Sequence, residues 1–125
     1  MKTNKTLQAA QTIWLNRYAG ELWIKYTKTF SGLSKFECPT IILNNRFTKT
    51  AGCNYQPLNK IELASKFFIK NQAEMLTIIL PHEIAHQIDF NLYGASEKRC
   101  GHGETWNNIM VQIGLPANKY HSLVI

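Results

Sequence analysis

The residues in this chain whose types and spacing can do chemistry are His82-Glu83-Ile84-Ala85-His86. Two histidines four apart on a helix project from one face, close enough to share a metal ion. Glu83 sits one step round the same helix, where it can reach a water on that ion. At about 100° per residue, His86 lies about 40° from His82, Asp89 about 20° to its other side and Glu83 about 100° away. Ile84, Ala85, Ile88 and Leu92 fall on the opposite side. The helix therefore has a polar metal face and a separate apolar face for a core.

A catalytic zinc usually takes three protein ligands and leaves a fourth position to water. His82 and His86 supply two. The H-E-x-x-H-x-x-G-x-x-H proteases place a histidine where this chain has Leu92 and a glycine where it has Asp89, so that class is excluded. Candidates for the third ligand are His102, Glu104 and Glu97, with Cys100 as an outsider. His102 lies between Gly101 and Gly103, 16 residues after His86, at the mouth of a further helix. Glycines let the backbone bring the ring close, and a helix start anchors it on a rigid element. Its other role would be to cap that helix. Glu104 is the second choice, because some enzymes of this type take a downstream glutamate. Zinc in such a site lowers the pKa of bound water from 15.7 to roughly 7. Glu83 is then the general base, and Asp89 either orients a ligand ring or is a solvated helix carboxylate. Arg99, Tyr93, Tyr120 and His121 are candidates by residue type alone for completing an oxyanion site.

Positioning these groups requires several elements. Residues 5–30 read as a helix with Leu7, Ala10, Trp14, Tyr18 and Leu22 in steps of three and four. Gly20 is a plausible break, after which Trp23, Tyr26 and Phe30 continue the stripe. Ile41-Ile42-Leu43, the alternating stretch around Ala51-Gly52 up to Tyr55, and Ile61-Glu62-Leu63-Ala64 predict three short strands. Their connections are too brief for crossover helices, so an antiparallel sheet is expected. A helix over about 72–92 carries the motif, with Pro81 kinking it, and Gly94 closes it. A last helix begins at Glu104, its Trp106, Ile109, Met110 and Ile113 facing inward, and Gly114-Leu115-Pro116 stops it. No repeat, low-complexity tract or linker divides residues 1–125, which read as one domain.

Composition narrows the function classes. Of the 125 residues 45% are hydrophobic and 18% charged, which fits a globular core and excludes wholesale disorder. No apolar run has the roughly 18 residues a membrane span needs and no signal-peptide core leads the chain, so a cytoplasmic protein is expected. Cys38, Cys53 and Cys100 form no C-x-x-C pair and read as reduced thiols. Net charge is +6, but residues 1–70 hold eleven Lys/Arg against three acids and residues 71–125 three against five. Interleaved with Trp14, Tyr18, Trp23, Tyr26 and Phe30, the cations could form a nucleic-acid surface. The plainer expectation is lysines facing water and aromatics facing the core.

Several ordered pieces resemble the SprT family of zinc metallopeptidases, whose eukaryotic members include the Spartan proteases, with the bacterial SprT type nearest. They are Leu22-Trp23 to Phe30, Arg46-Phe47-Thr48 to Ala51-Gly52, Pro81-His82-Glu83-Ile84-Ala85-His86, Gly101-His102-Gly103 followed by Trp106, and Gly114-Leu115-Pro116-Ala117 to His121. The resemblance implies a small zincin-like (minigluzincin) α+β domain: an N-terminal helix, a three-stranded sheet, the motif helix and a C-terminal helix. It implies one Zn²⁺ ion on His82, His86 and His102, with Glu83 as general base in peptide-bond hydrolysis. Spartan-type relatives act on proteins crosslinked to DNA, which would suit the basic half of this chain. The alternative is a non-catalytic, zinc-containing DNA-binding module. Glu104 departs from the family pattern, where proline often follows the His-Gly pair. The chain also stops at Ile125, about where many bacterial members begin a zinc ribbon, so no second zinc site is expected.

Overall fold

Helix α1 (Asn4–Thr29) is the longest element of the computed structural model, which describes residues 4–94 and 103–115. Alanines, leucines and glutamines with no proline favour it, and Gly20 does not interrupt it. A mid-helix glycine costs about 1 kcal/mol, which packing of the flanking turns outweighs. Its buried stripe is Leu15, Ala19, Trp23, Tyr26 and Phe30. In the first half this stripe is displaced by one residue from the expected one. Trp14 is 45% exposed and stacks on half-buried Tyr18 instead of entering the core. Leu15 and Ala19 are slimmer, so the helix can lie closer to the sheet.

The sheet has three strands, β1 (Thr40–Asn44), β2 (Gly52–Tyr55) and β3 (Lys60–Ala64), in the order β1-β3-β2. It is mixed, which corrects the antiparallel expectation. Strands β2 and β3 form an antiparallel pair from Gly52↔Leu63 to Tyr55↔Lys60, joined by a short 3₁₀ turn and left-handed Asn59. Strand β1 pairs with β3 in parallel, from Thr40↔Lys60 to Asn44↔Ala64. The link from β1 to β2 steps across the place β3 later fills, so neighbours in sequence are not neighbours in the sheet.

Ile41, Leu43, Ile61 and Leu63 point to the core. The opposite face is polar: Asn44 and Tyr55 donate to Glu62 Oε1 at 2.8 and 3.2 Å, Lys60 pairs with Glu62 Oε2 at 3.3 Å, and the Lys60 ammonium lies 4.9 Å from the Tyr55 ring centre. The two sheet edges differ. Along β1, the Asn16 side chain of α1 acts as a surrogate strand: its Oδ1 accepts the Ile41 N–H and its Nδ2 donates to the Ile41 carbonyl, both at 2.8 Å. Nothing comparable covers β2 among the described residues.

From Ser65 to Tyr93 the chain is almost wholly helical. Helix α2 (Ser65–Lys70), unforeseen in the sequence reading, leads through Asn71 into one run made of α3 (Gln72–Glu74), a π-helical turn (Met75–Ile79) and α4 (Leu80–Tyr93). Pro81 therefore sits in the first turn of α4 directly after a widened turn, which is how a continuous helix accommodates it. Gly94 ends α4 at φ 77°, and α5 (Glu104–Gln112) packs back on it. Ile84, Ala85 and Ile88 of α4 and Trp106, Ile109 and Met110 of α5 all belong to the buried core. No described helix is long and apolar enough to cross a membrane.

Candidate metal centre

Helix α4 presents His82 and His86 as the four-residue spacing requires. Their Nε2 atoms lie 3.2 Å apart. Two nitrogens bound to one tetrahedral zinc at 2.0–2.1 Å are separated by about 3.3 Å, so the pair already has ligand spacing. At that distance one ring can donate its Nε2–H to the other's lone pair, or both lone pairs can bind one metal ion. Zinc therefore fits these two residues by both geometry and donor type.

Trp106, fully buried in α5, forms the wall behind both rings. It stacks on His86 with centroids 5.0 Å apart and planes 14° from parallel, and meets His82 edge-on at 4.9 Å. The sequence pattern marks Trp106 as a core residue; its contact with both imidazoles could be anticipated only from its place three residues after Gly101-His102-Gly103. The backbone of the motif is pinned from the sheet side. Gln56 Nε2 donates to the His86 carbonyl at 3.2 Å. Gln87, 1% exposed, donates to the Gln56 carbonyl and Asn91 Oδ1 and accepts from Asn54 Nδ2 of β2. This amide network has no signal in the sequence beyond the residue types Asn54, Gln56, Gln87 and Asn91, which fall in two groups far apart along the chain.

Glu83 is buried, with its Oε2 4.0 Å from His82 Nε2. Burial pushes its carboxyl up to about 7, because the ionised form loses its water. A carboxyl tuned there can both take and return a proton near neutrality. Gly52 of β2 makes the approach possible: a Cβ at that position would stand 3.3 Å from Glu83 Cγ, 3.2 Å from Ile79 and 3.1 Å from Leu63. The face of β2 at Gly52 thus lies directly against the Glu83 side chain.

Asp89 lies one turn beyond His86 on the same face, 4% exposed, and accepts a 2.5 Å hydrogen bond from Thr105 Oγ1. It is a buried link between α4 and α5, not a solvated carboxylate. Neighbouring Glu104 is exposed in the first turn of α5. Tyr93 is 56% exposed at the far end of α4. His102, together with Glu97, Arg99, Cys100, Tyr120 and His121, lies outside the described residues. Among the described residues no three His, Cys, Asp or Glu side chains gather as a ligand set. Burial raises the thiol pKa of Cys38 to about 11 and also raises that of Cys53, so neither favours the thiolate a metal would need.

The model of the SprT-like family matches residues 19–122. Protein SprT of Vibrio atlanticus is 33% identical over 112 residues, covering 89% of this chain and 64% of the relative. Protein SprT of Vibrio parahaemolyticus is 37% identical over 87 residues, 69% of this chain and 50% of the relative. That of Photorhabdus laumondii is 34% identical over 91 residues, 72% and 45% respectively. The chain thus spans between about half and two thirds of the length of the curated relatives it matches. No solved structure matches it. The match covers α1 from Ala19, the whole sheet and both helices that frame the histidine pair, and on that basis the chain belongs to the SprT-like family.

Proposed function

We propose that this protein is a zinc-dependent metallopeptidase with a zincin-like active site. The observation that carries the reading is the histidine pair at ligand spacing with the buried Glu83 carboxyl beside it and an open strand edge alongside. His82 and His86 would hold the ion, with His102 as third ligand on the sequence pattern; a zinc ion there supplies Lewis acidity toward a peptide carbonyl and toward water.

The chain's own groups then have defined tasks. An extended substrate adds to β2 as a further strand, its main chain pairing with the groups of Gly52 and Asn54 that the antiparallel ladder with β3 turns outward. That register brings a peptide bond over Glu83, because Gly52 lets the strand and the carboxyl approach within contact distance. Glu83 takes the proton of the attacking water and passes it to the departing amine. Trp106 excludes bulk water behind the imidazoles and limits their rotation, while Gln56 and Gln87 hold the helix backbone in place.

The test is Glu83→Gln. Zinc content stays near one ion per chain while cleavage of an unfolded protein such as casein falls at least a hundredfold, as loss of general acid–base catalysis requires. Equal turnover by the variant would overturn the mechanism. The comparison of zinc content between wild type and His102→Ala examines the third ligand.

Exposed Arg17, Lys25, Lys28, Arg46 and Lys49 favour a second element of the reading, that the substrate is held on DNA. Binding to duplex DNA that weakens steeply with salt, and less steeply after Lys25 and Lys28 are replaced by Ala, is the expected result. DNA binding with no turnover of any protein would instead favour the non-catalytic module.

A further inference from the structure

The motif helix is preceded by a wide turn with a carbonyl left over. At the end of the π segment the Leu80 N–H goes five residues back, to the Met75 carbonyl. The Leu76 carbonyl would take the N–H of residue 80 in an α-helix or of residue 81 in a π-helix. The first is already used and the second does not exist, because residue 81 is proline. An unpaired carbonyl inside a half-buried helix is unfavourable. The hydroxyl of Tyr18, from the middle of α1, donates to it at 3.3 Å. Tyr18 is in turn held by Trp14, stacked at 5.4 Å and 17°. At the entrance to the same segment Thr77 Oγ1 donates to the Ala73 carbonyl at 2.8 Å.

We propose that Tyr18 is a positioning residue for the candidate metal centre: its hydroxyl replaces the N–H that Pro81 lacks, holds the π turn, and so sets the rotation of His82, Glu83 and His86 toward the sheet and Trp106. A π turn carries one residue more than the α turn it replaces. Its collapse would rotate α4 by about 100° relative to the residues before it, or unwind the junction. The histidine pair is fixed from β2 and α5 on one side, and Tyr18 fixes the helix on the other. The inference rests on the proposed metal site for its functional meaning, but the hydrogen-bond substitution stands apart from it.

The experiment is a double-mutant cycle with Tyr18→Phe and Pro81→Ala, read by hydrogen exchange of metal-free protein and by Co²⁺ titration followed by its visible absorption. In the native background Tyr18→Phe speeds amide exchange over residues 78–86 about fivefold, the loss expected for one hydrogen bond, and weakens Co²⁺ binding by a similar factor with a changed band shape. In the Pro81→Ala background residue 81 gains an N–H, the Leu76 carbonyl is satisfied in either register, and Tyr18→Phe changes exchange less than twofold. Equal acceleration in both backgrounds, no acceleration in the native one, or acceleration spread over the β-sheet overturns the proposal. Should Pro81→Ala fail to fold, the location of the change in Tyr18→Phe alone decides. Wild-type protein that binds no Co²⁺ counts against the metal site and leaves the exchange data to decide the role of Tyr18.

Discussion

The two edges of the three-stranded sheet are treated in opposite ways. At the β1 edge a side-chain amide from α1, Asn16, pairs with both main-chain groups of Ile41, so that edge is closed from within. At the β2 edge no described group plays that part, and the strand carries Gly52, whose missing side chain lets the strand lie against Glu83. An unprotected edge invites pairing with other chains, and proteins ordinarily blunt it. Here one edge is sealed as part of the fold and the other is left where the candidate chemistry is. The closed edge is a stability feature and the open strand lies beside the candidate site.

The largest expected effect breaks the closed edge. Asn16→Leu keeps the volume but leaves the Ile41 N–H and carbonyl without partners, and the loss should be about 4 kcal/mol at 1–3 kcal/mol per orphaned group. Urea unfolding measures it, and the surviving folded fraction should keep its zinc affinity. An unchanged midpoint would show that the amide is not what seals this edge.

Next is a pH effect on the open side. The Glu83 carboxyl is raised from 4.5 to about 7 by burial, so between those values the native state holds a proton that the unfolded state has released. The contribution of this group to the stability of metal-free protein is fully present below about pH 4.5 and is lost as pH rises through 7, about 3 kcal/mol in all. Urea midpoints of wild type and Glu83→Gln across that range isolate the contribution, since Gln cannot ionise. Parallel curves would contradict it.

A smaller effect sharpens the assignment of the open edge to function. Gly52→Ala places a methyl 3.1–3.3 Å from Leu63, Ile79 and Glu83; the overpacking costs about 2 kcal/mol in thermal or urea unfolding. Cleavage per folded molecule should fall more than tenfold, because Glu83 is one of the three crowded side chains. The smallest effect is on the sheet's polar outer face. Lys60→Met removes a half-buried ion pair and a cation–π contact and should change stability by about 1 kcal/mol, with no change in cleavage.

Much of the site could be read from the sequence because helical periodicity is local. The spacing of His82, Glu83 and His86 fixed their shared face, and Ile84, Ala85 and Ile88 fixed the buried one. Gly94 and Gly114 marked helix ends through the positive φ they adopt. Sheet order was not legible, since nothing in the short link between β1 and β2 announces that a later strand will come between them. The displaced stripe of α1 was missed because Trp14 and Tyr18 satisfy the same periodicity as Leu15 and Ala19, and only packing distance chooses. The amides at 16, 54, 56 and 87 were invisible for a related reason: Asn and Gln read as surface residues until a partner is known. The expected kink at Pro81 was a different case, because the sequence located the irregularity but not its form, a π turn completed by a distant hydroxyl.

The strand order also bears on how the chain acquires its shape during synthesis. In the native sheet β3 is the partner of both strands made before it, so neither β1 nor β2 has its edge filled until Lys60–Ala64 is available. A nascent chain that has reached Tyr55 holds two strands with no native partner, and such strands are exposed to wrong pairings. Asn16 covers only the outer edge of β1, at Ile41, so the edge that β3 later fills stays open through that interval. The delay between β2 and β3 is short, because only the turn at residues 56–59 separates them.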